Sequence, residues 1–467
     1  MTTVLAIEQA ATATKAVVIG GTGRVLAHST VRVTTRTLAD GGMEQDPVEI
    51  WHGVRAAARK AIGQAGRRID VVALATGGGS VLAFDPASGK PLSPVITRQD
   101  RRAAGICQEL ASHAETIAEA TGLRLSPQST APKLTWLREN LTRDGVVAGL
   151  DAWLLHQLTG QYATDAATAS RSLLVDLDSG TWDPRLAAVF GLGHEPMARI
   201  VANDEVVGEA DAFGPRVPVA GVILDAPAAL LAQRCLNPGA VNVTYGAGAL
   251  LLTNLGARPT RGELTCSTAW RIKGARTFCL DGQVAAASSA LSWLVKVGVL
   301  DRVDALDDSC AKNPGGTVFV PRFDEEGGAR LAGVDLSTTG EQIVSAVVYG
   351  IAAAVADLYD LAGLKEDVLR VDGGLTKSAC MLQAQADLLQ IPVAAYPGAY
   401  PTAQGAGVLS RLALDRTATL ERETQAAPAQ AKPVRPKWSA DQATAYRDRW
   451  REAAGGLRPA LVMSAAA

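Results

Sequence analysis

The stretch VLAIEQAATATKAVVIG, residues 4–20, reads as an apolar strand, a turn of small and polar residues, and a second apolar strand. Val4-Leu5-Ala6-Ile7 and Ala16-Val17-Val18-Ile19 supply the strands, and Arg24-Val25-Leu26-Ala27 a third, reached through the turn Gly20-Gly21-Thr22-Gly23. The same order returns at VNVTYGAGALLLTNLG, residues 241–256. A strand, turn and strand that recur once over so long a chain mark a duplicated fold with a cleft between its halves, not a short-period repeat array. Around these hairpins, strand-like VVALAT (71–76) alternates with helical PVEIWHGVRAAARKAIGQA (47–65) and DRRAAGICQELASHAETIAEA (100–120). In the second half TFCLDG (277–282) reads as a strand leading into QVAAASSALSWLVKVG as a helix. The alternation predicts an α/β chain.

At 467 residues the chain exceeds what one hydrophobic core usually supports, so two domains are expected. Lys and Arg number 45 against 47 Asp and Glu, a net charge of −2 with no tract of one sign, which points away from nucleic acid and membrane surfaces as partners. The 6 cysteines, Cys107, Cys235, Cys266, Cys279, Cys310 and Cys380, lack metal-ligand spacing and read as free thiols of a reducing cytoplasm. The N-terminus lacks the charged-then-apolar order of a signal peptide. No apolar run approaches the roughly 20 residues of a membrane span. Residues 421–437, rich in Ala, Pro and charge, read as a linker, and SADQATAYRDRWREAAG after them as a terminal helix.

The first turn offers a carboxylate (Glu8), an amide (Gln9), hydroxyls (Thr12, Thr14) and a cation (Lys15), a set suited to a metal-bound triphosphate. Gly20 to Gly23 follow a hairpin strand and precede no apolar helix, so they read as a turn and not as a dinucleotide or P-loop motif. Asp372-Gly373-Gly374, taken alone, reads as a tight turn between a strand and a helix.

Six segments in order, AIEQAATATKA, GGMEQDPVEIW (41–51), GKPLSPVITRQDRR (89–102), LDAWLLHQLTGQYATDAATASRSLLVDL (150–177), NVTYGAGALLLTNLG (242–256) and LRVDGGLTKSACMLQAQADLLQIPV (369–393), resemble the FGGY family of carbohydrate kinases over nearly the whole chain. The resemblance implies two actin-like, ribonuclease H-like domains flanking a nucleotide and substrate cleft, Mg2+ and ATP as cofactors, and transfer of the terminal phosphoryl group to a hydroxyl of a small sugar or polyol. It divides the chain into 1–235, with the sugar-binding elements and the catalytic aspartate, 236–420 as the ATP-binding domain, and 421–467 as linker and terminal helix. A homodimer is the assembly considered. The family's catalytic base falls on Asp225, in VAGVILDAPAALLAQ; read without the family, Asp225 caps the helix that starts near Pro227. Metal contact falls on Glu8, and nucleotide contacts on Gln9, Thr12, Lys15, Gly246, Ala247, Gly248, Gly333, Gly373, Gly374 and Ser378. Acceptor contacts fall on Gly78, Gly79, Arg98, Gln128 and Asp225.

The departures from the family pattern are specific. Glu8, Ala10 and Ala11 stand where the family usually has Asp, Gly and Thr, and Lys15 where it often has Arg. Ala247 replaces a threonine and Ser378 an asparagine; each lost hydrogen bond to a charged phosphate costs about 1.5–3 kcal/mol. Glycerol kinases carry an Arg-Glu pair, a Trp, a Tyr and a Gln where this chain has Gly78 and Gly79, Arg98, Gln128 and Ala226. The expected activity is therefore ATP-dependent phosphorylation of a sugar or polyol other than glycerol, one that is longer or carries an acidic group. The loop of Gly77 to Gly79 also reads as a plain mobile turn. The alternative from another class is a catalytically weakened relative that binds a nucleotide or sugar in a regulatory role.

Overall fold

The computed structural model describes residues 2–311, 313–323, 328–425 and 431–455. Two six-stranded sheets dominate it. The first runs in the order Val206–Ala210, Val217–Leu224, Val71–Thr76, Val4–Gln9, Ala13–Ile19, Val25–Arg32, and the second in the order Thr265–Ile272, Ala275–Val284, Ala249–Gly256, Val241–Tyr245, Leu369–Gly373, Val393–Ala395. In each, the opening strand lies antiparallel to the one after it and parallel to a later crossover strand, which is itself parallel to the next: Val4–Gln9 with Val71–Thr76 and Val217–Leu224, Val241–Tyr245 with Leu369–Gly373 and Val393–Ala395. The repeated hairpin is thus a repeated sheet, and the expected pair of actin-like domains is the observed architecture.

Central strands read as unbroken apolar runs because both of their faces are covered. Leu5 and Ile7 pack with Ile50, Val54 and Ala61 of the helix Pro47–Ala65. That helix has the predicted bounds, and local chemistry sets them. The Asp46 side chain accepts from the Val48 N–H, Pro47 opens the first turn, and Gly66 closes the last in the left-handed conformation. Val4 and Ala6, on the other face, pack with Ala403, Ala406 and Leu409. Those residues belong to the helix Pro401–Leu414, which follows the second sheet in sequence but covers the first in space. Its Gln404 donates to the Gly23 carbonyl at 2.8 Å, in the turn formed by Gly20 to Gly23.

A smaller sheet of five short strands, Arg36–Thr37, Met43–Gln45, Val95–Ile96, Val81–Phe84 and Val146–Gly149, is inserted into the first half, with its own apolar cluster. It holds the loops that carry Gly78, Gly79 and Arg98.

Several expectations are corrected. Residues 100–120 form Ala104–Glu109 and Ala114–Thr121 with a short 3-10 turn between them. Asp100 is kept out of the helix because its carboxylate accepts from the Met43 N–H and from Arg102. The strand Ala275–Val284 takes in Gln283 and Val284, which pair with the hairpin strand, so the following helix starts at Ser288. Cys310 and Cys380 form a disulfide, leaving Cys107, Cys235, Cys266 and Cys279 free among the described residues; six free thiols are not present. Gly340–Leu361 is a 22-residue helix long and apolar enough to cross a membrane, which the reading of run lengths passed over; it is the core helix of the second half. The linker contains a helix, Leu420–Gln425; residues 426–430 and 456–467 lie outside the described residues. The terminal helix Ala440–Ala453 packs onto the core helix through Tyr446 and Trp450, and Arg447 and Arg451 reach Asp357 and Asp360.

Candidate active site

Strands Val4–Gln9, Val71–Thr76 and Val217–Leu224 run the same way, so their carboxyl ends bring Glu8, the loop after Thr76 and Asp225 to one edge of the sheet. The Gly77 N–H donates to the Gln9 carbonyl at 3.0 Å and fixes the start of that loop. Asp225 is the first residue of the helix Asp225–Ala232, after Leu224 at the cap position. Its Oδ1 accepts from its neighbour's amide, Ala226 N–H, at 2.7 Å. It makes none of the bonds to the second or third helical N–H that define a side-chain cap, so the capping alternative finds no support in the geometry. Burial pushes the Asp225 carboxyl above the usual carboxylate range, and Glu8 adds to the push; the Ala226 N–H, Arg98 and Arg171 oppose it.

A pocket between the halves brings together all five acceptor candidates, Gly78, Gly79, Arg98, Gln128 and Asp225. The second sheet closes it with Leu250, Leu252, Asp281 and Gln283. Gly79 sits at φ +85°, and a Cβ there would lie 3.0 Å from the Gln128 carbonyl and 3.3 Å from the Arg98 Cγ. The glycine therefore leaves the floor on which the Arg98 stem rests.

Three contributors escaped the sequence reading. Lys133, 1 % exposed, donates to the carbonyls of Gln128, Thr97 and Arg98 at 2.7, 3.3 and 3.4 Å, tying together the two loops that carry Arg98 and Gln128. Burial drives its ammonium well below the usual lysine range, with Arg98 adding to the effect. Arg171 crosses between the halves to Asp281, with bonds of 2.6 and 3.2 Å. No local pattern announces pairs so distant in sequence; an apolar helix face interrupted by a lysine, as at Leu134 and Leu137 beside Lys133, was the one signal available.

The nucleotide candidates divide. The turn Gly246-Ala247-Gly248 and the pair Gly373-Gly374 end neighbouring parallel strands, with Tyr245 opposite Gly373, so the two turns lie side by side. Asp372, beside them, accepts from Gln233 and Asn242, and burial raises its carboxyl to about 6. Thr12 is exposed at the tip of the first turn. Gln9 is buried, accepting from Thr14 at 2.5 Å and donating to the Ala10 carbonyl, which commits it to the hairpin. The Ser378 hydroxyl caps the helix Ala379–Leu389 by accepting from Met381 N–H. Gly333 directly follows the strand Arg330–Ala332 of a separate two-stranded sheet and lies against Gly316.

Glu8 and Lys15 face each other across the hairpin and form an ion pair at 2.8 Å. No group of three or more His, Cys, Asp or Glu side chains among the described residues could hold a metal unaided. Magnesium takes most of its ligands from water and nucleotide phosphates and needs only one or two protein carboxylates, so the Glu8 carboxylate, with one oxygen on Lys15 and a second to offer, fits that ion when it arrives with a nucleotide.

Residues 3–232 match the N-terminal domain, and residues 241–414 the C-terminal domain, of the FGGY family of carbohydrate kinases. Over 447 residues the chain is 34 % identical to a glycerol kinase of Thermus brockianus, covering 87 % of this chain and 90 % of that one. It is 31 % identical to glycerol kinase 2 of Thermotoga maritima, covering 88 % and 90 %. In fold it is similar to the glycerol kinase of Plasmodium falciparum, solved with ADP, at a TM-score of 0.91 and 24 % identity over 98 % of both chains. A xylulose kinase of Rhodospirillum rubrum is similar at a TM-score of 0.86 and 22 % identity, covering 97 % and 98 %. With both family domains matched end to end on a duplicated sheet whose halves enclose one pocket, the chain belongs to the FGGY family of carbohydrate kinases and is a phosphotransferase.

Proposed function

We propose that the chain transfers the terminal phosphoryl group of ATP to a hydroxyl of a sugar or polyol held by Gly78, Gly79, Arg98 and Gln128, with Asp225 as the base. The observation that carries this reading is the single pocket into which Asp225 opens together with every other acceptor candidate, walled by both sheets. Phosphoryl transfer needs an acceptor oxygen held in line and a base within reach of its proton. Asp225 is fixed at a strand end, its Oδ1 tied to Ala226, and its Oδ2 lies toward Gly77 on the loop that floors the pocket. The nucleotide lies along the turns at Gly246 to Gly248 and Gly373-Gly374, its phosphates toward Thr12 and Lys15. Magnesium, held by Glu8, would neutralise phosphate charge.

The acceptor is not glycerol in this reading, although the curated relatives above are named for it. Gly78 and Gly79 offer no side chain to clasp a small triol, and a Cβ at Gly78 would meet Leu224 at 2.9 Å. ATP consumption across polyols, ketoses and sugar acids is the test. The expected outcome is turnover with one of them and little with glycerol. Efficient glycerol turnover would overturn the substrate assignment, and nucleotide binding without turnover of any acceptor would favour the weakened, regulatory alternative.

Glu8→Gln should raise the magnesium concentration needed for half-maximal rate by about tenfold and lower turnover, since a charge-assisted contact contributes about 1.5–3 kcal/mol. Glu8→Asp should keep the magnesium response near that of the wild type. An unchanged magnesium titration in Glu8→Gln would confine Glu8 to its ion pair with Lys15.

A further inference from the structure

Three arginines line the pocket between the halves, and two of them are occupied. Arg171 is neutralised by Asp281, and Arg124 donates to the Glu263 carbonyl at 2.9 Å. The Arg98 guanidinium donates to nothing among the described residues, although protein crowds it and the cleft opens it to solvent. With no protein acceptor, its five donors are left to water at the mouth of the cleft, where a ligand can displace that water and take them. The surroundings place it there: the Arg98 stem lies on Gly79, where a Cβ would come within 3.3 Å of its Cγ, and buried Lys133 gathers the Thr97, Arg98 and Gln128 carbonyls behind it.

We propose that Arg98 reads a carboxylate on the acceptor, so that the substrate is a polyhydroxylated acid bound with its anionic end on Arg98 and a hydroxyl at Asp225. The inference rests on the acceptor site proposed above and deepens it. A carboxylate matches the planar fork of a guanidinium with two parallel hydrogen bonds. A carboxylate brings a single negative charge to the Arg98 fork. A phosphate dianion would leave excess negative charge beside Asp225, which already shares the pocket. The Gln128 side chain, on the same wall, is available to the hydroxyls between the two ends.

The experiment measures equilibrium binding by calorimetry, without nucleotide, for four- to six-carbon aldonates, the alditols of equal length and the corresponding terminally phosphorylated alditols; kcat/KM follows with ATP. For the matching chain length, the aldonate should bind about 10-fold to 100-fold more tightly than its alditol. In Arg98→Gln that ratio should collapse toward one, and Arg98→Lys should restore part of it as a point charge without the fork. Aldonate and alditol binding alike in the wild type would overturn the proposal, as would tightest binding of the phosphorylated alditols. A ratio that persists in Arg98→Gln would remove Arg98 as the reader. Equal losses of kcat on both acceptors with binding ratios intact would place Arg98 on the transferred phosphoryl group instead, which also overturns it. Because binding is read without ATP, failure of the kinase reading shows separately, as selective aldonate binding with no phosphoryl transfer.

Discussion

Asp225→Asn should lower kcat by about 10²-fold to 10⁴-fold, the usual contribution of a positioned general base, with the protein still folded and nucleotide binding unchanged. Asparagine is nearly the same size, and its carbonyl oxygen can accept from Ala226 N–H as the aspartate does. No cap is lost, because the cap position belongs to Leu224. The pH dependence separates the roles further. The Asp225 carboxyl is raised by burial, so the wild-type rate should fall as pH drops through a value above the ordinary carboxylate range, and the variant should lack that limb. For stability the sign is opposite. A carboxyl whose folded pKa exceeds its unfolded one contributes stability fully present below the unfolded value and lost as pH rises through the folded value. Asparagine carries no such loss, so the variant should match or exceed the wild-type Tm at neutral pH. Steady-state rates and thermal melts from pH 4 to 9 check both, roughly spanning the carboxylate and histidine ranges. A lowered Tm with full activity in the folded fraction would return Asp225 to a structural role.

Gly405→Ala should cost about 3 kcal/mol or more of stability and much of the activity with it. A Cβ at Gly405 would fall 1.9 Å from the Ala228 carbonyl oxygen and 2.6 Å from its carbon. Both atoms are backbone, so no rotamer change relieves the clash and one helix must shift. One of the two helices in contact begins at Asp225, so the packing fault lies one turn from the proposed base. Gly407→Ala, two residues on along the same helix, is the control. Its Cβ would meet the flexible end of Ile19 at 3.3 Å, and alanine favours the helix by about 1 kcal/mol over glycine. Chemical denaturation of both variants tests the pair; equal stability in the two would show that the helices are not held at backbone contact.

The sequence was most legible where local chemistry and burial agreed. Val71–Thr76 and Pro47–Ala65 have the predicted bounds because a doubly covered strand reads as an apolar run and a helix needs its cap and its stop. It was least legible where a distant partner overruled a local preference. Asp100 leaves the expected helix for the Met43 N–H, Gln283 extends a strand because Leu250 stands opposite, and Cys310 finds Cys380 at a sequence separation of 70. Inserted strands as short as Val95–Ile96 have no periodicity to read. In the pocket, family resemblance located the residues that face the cleft, whereas Lys133 and the Arg171–Asp281 pair, which hold those residues in place, depend on contacts that exist only after folding.

The helix Pro401–Leu414 gives the chain a problem of order during synthesis. All the strands of the first sheet have been made once Leu224 leaves the ribosome, yet the helix that covers Val4, Ala6, Val17 and Ile19 emerges only after the whole second sheet. Until then that part of the nascent first half's apolar face lacks its covering helix, the kind of surface that recruits chaperones or joins another unfinished copy. A split of the gene between the two matched family domains would separate that face from its cover. The two halves are successive in the message and interleaved in the product, so the protein acquires its first sheet early and can cover it only after the second sheet has been made.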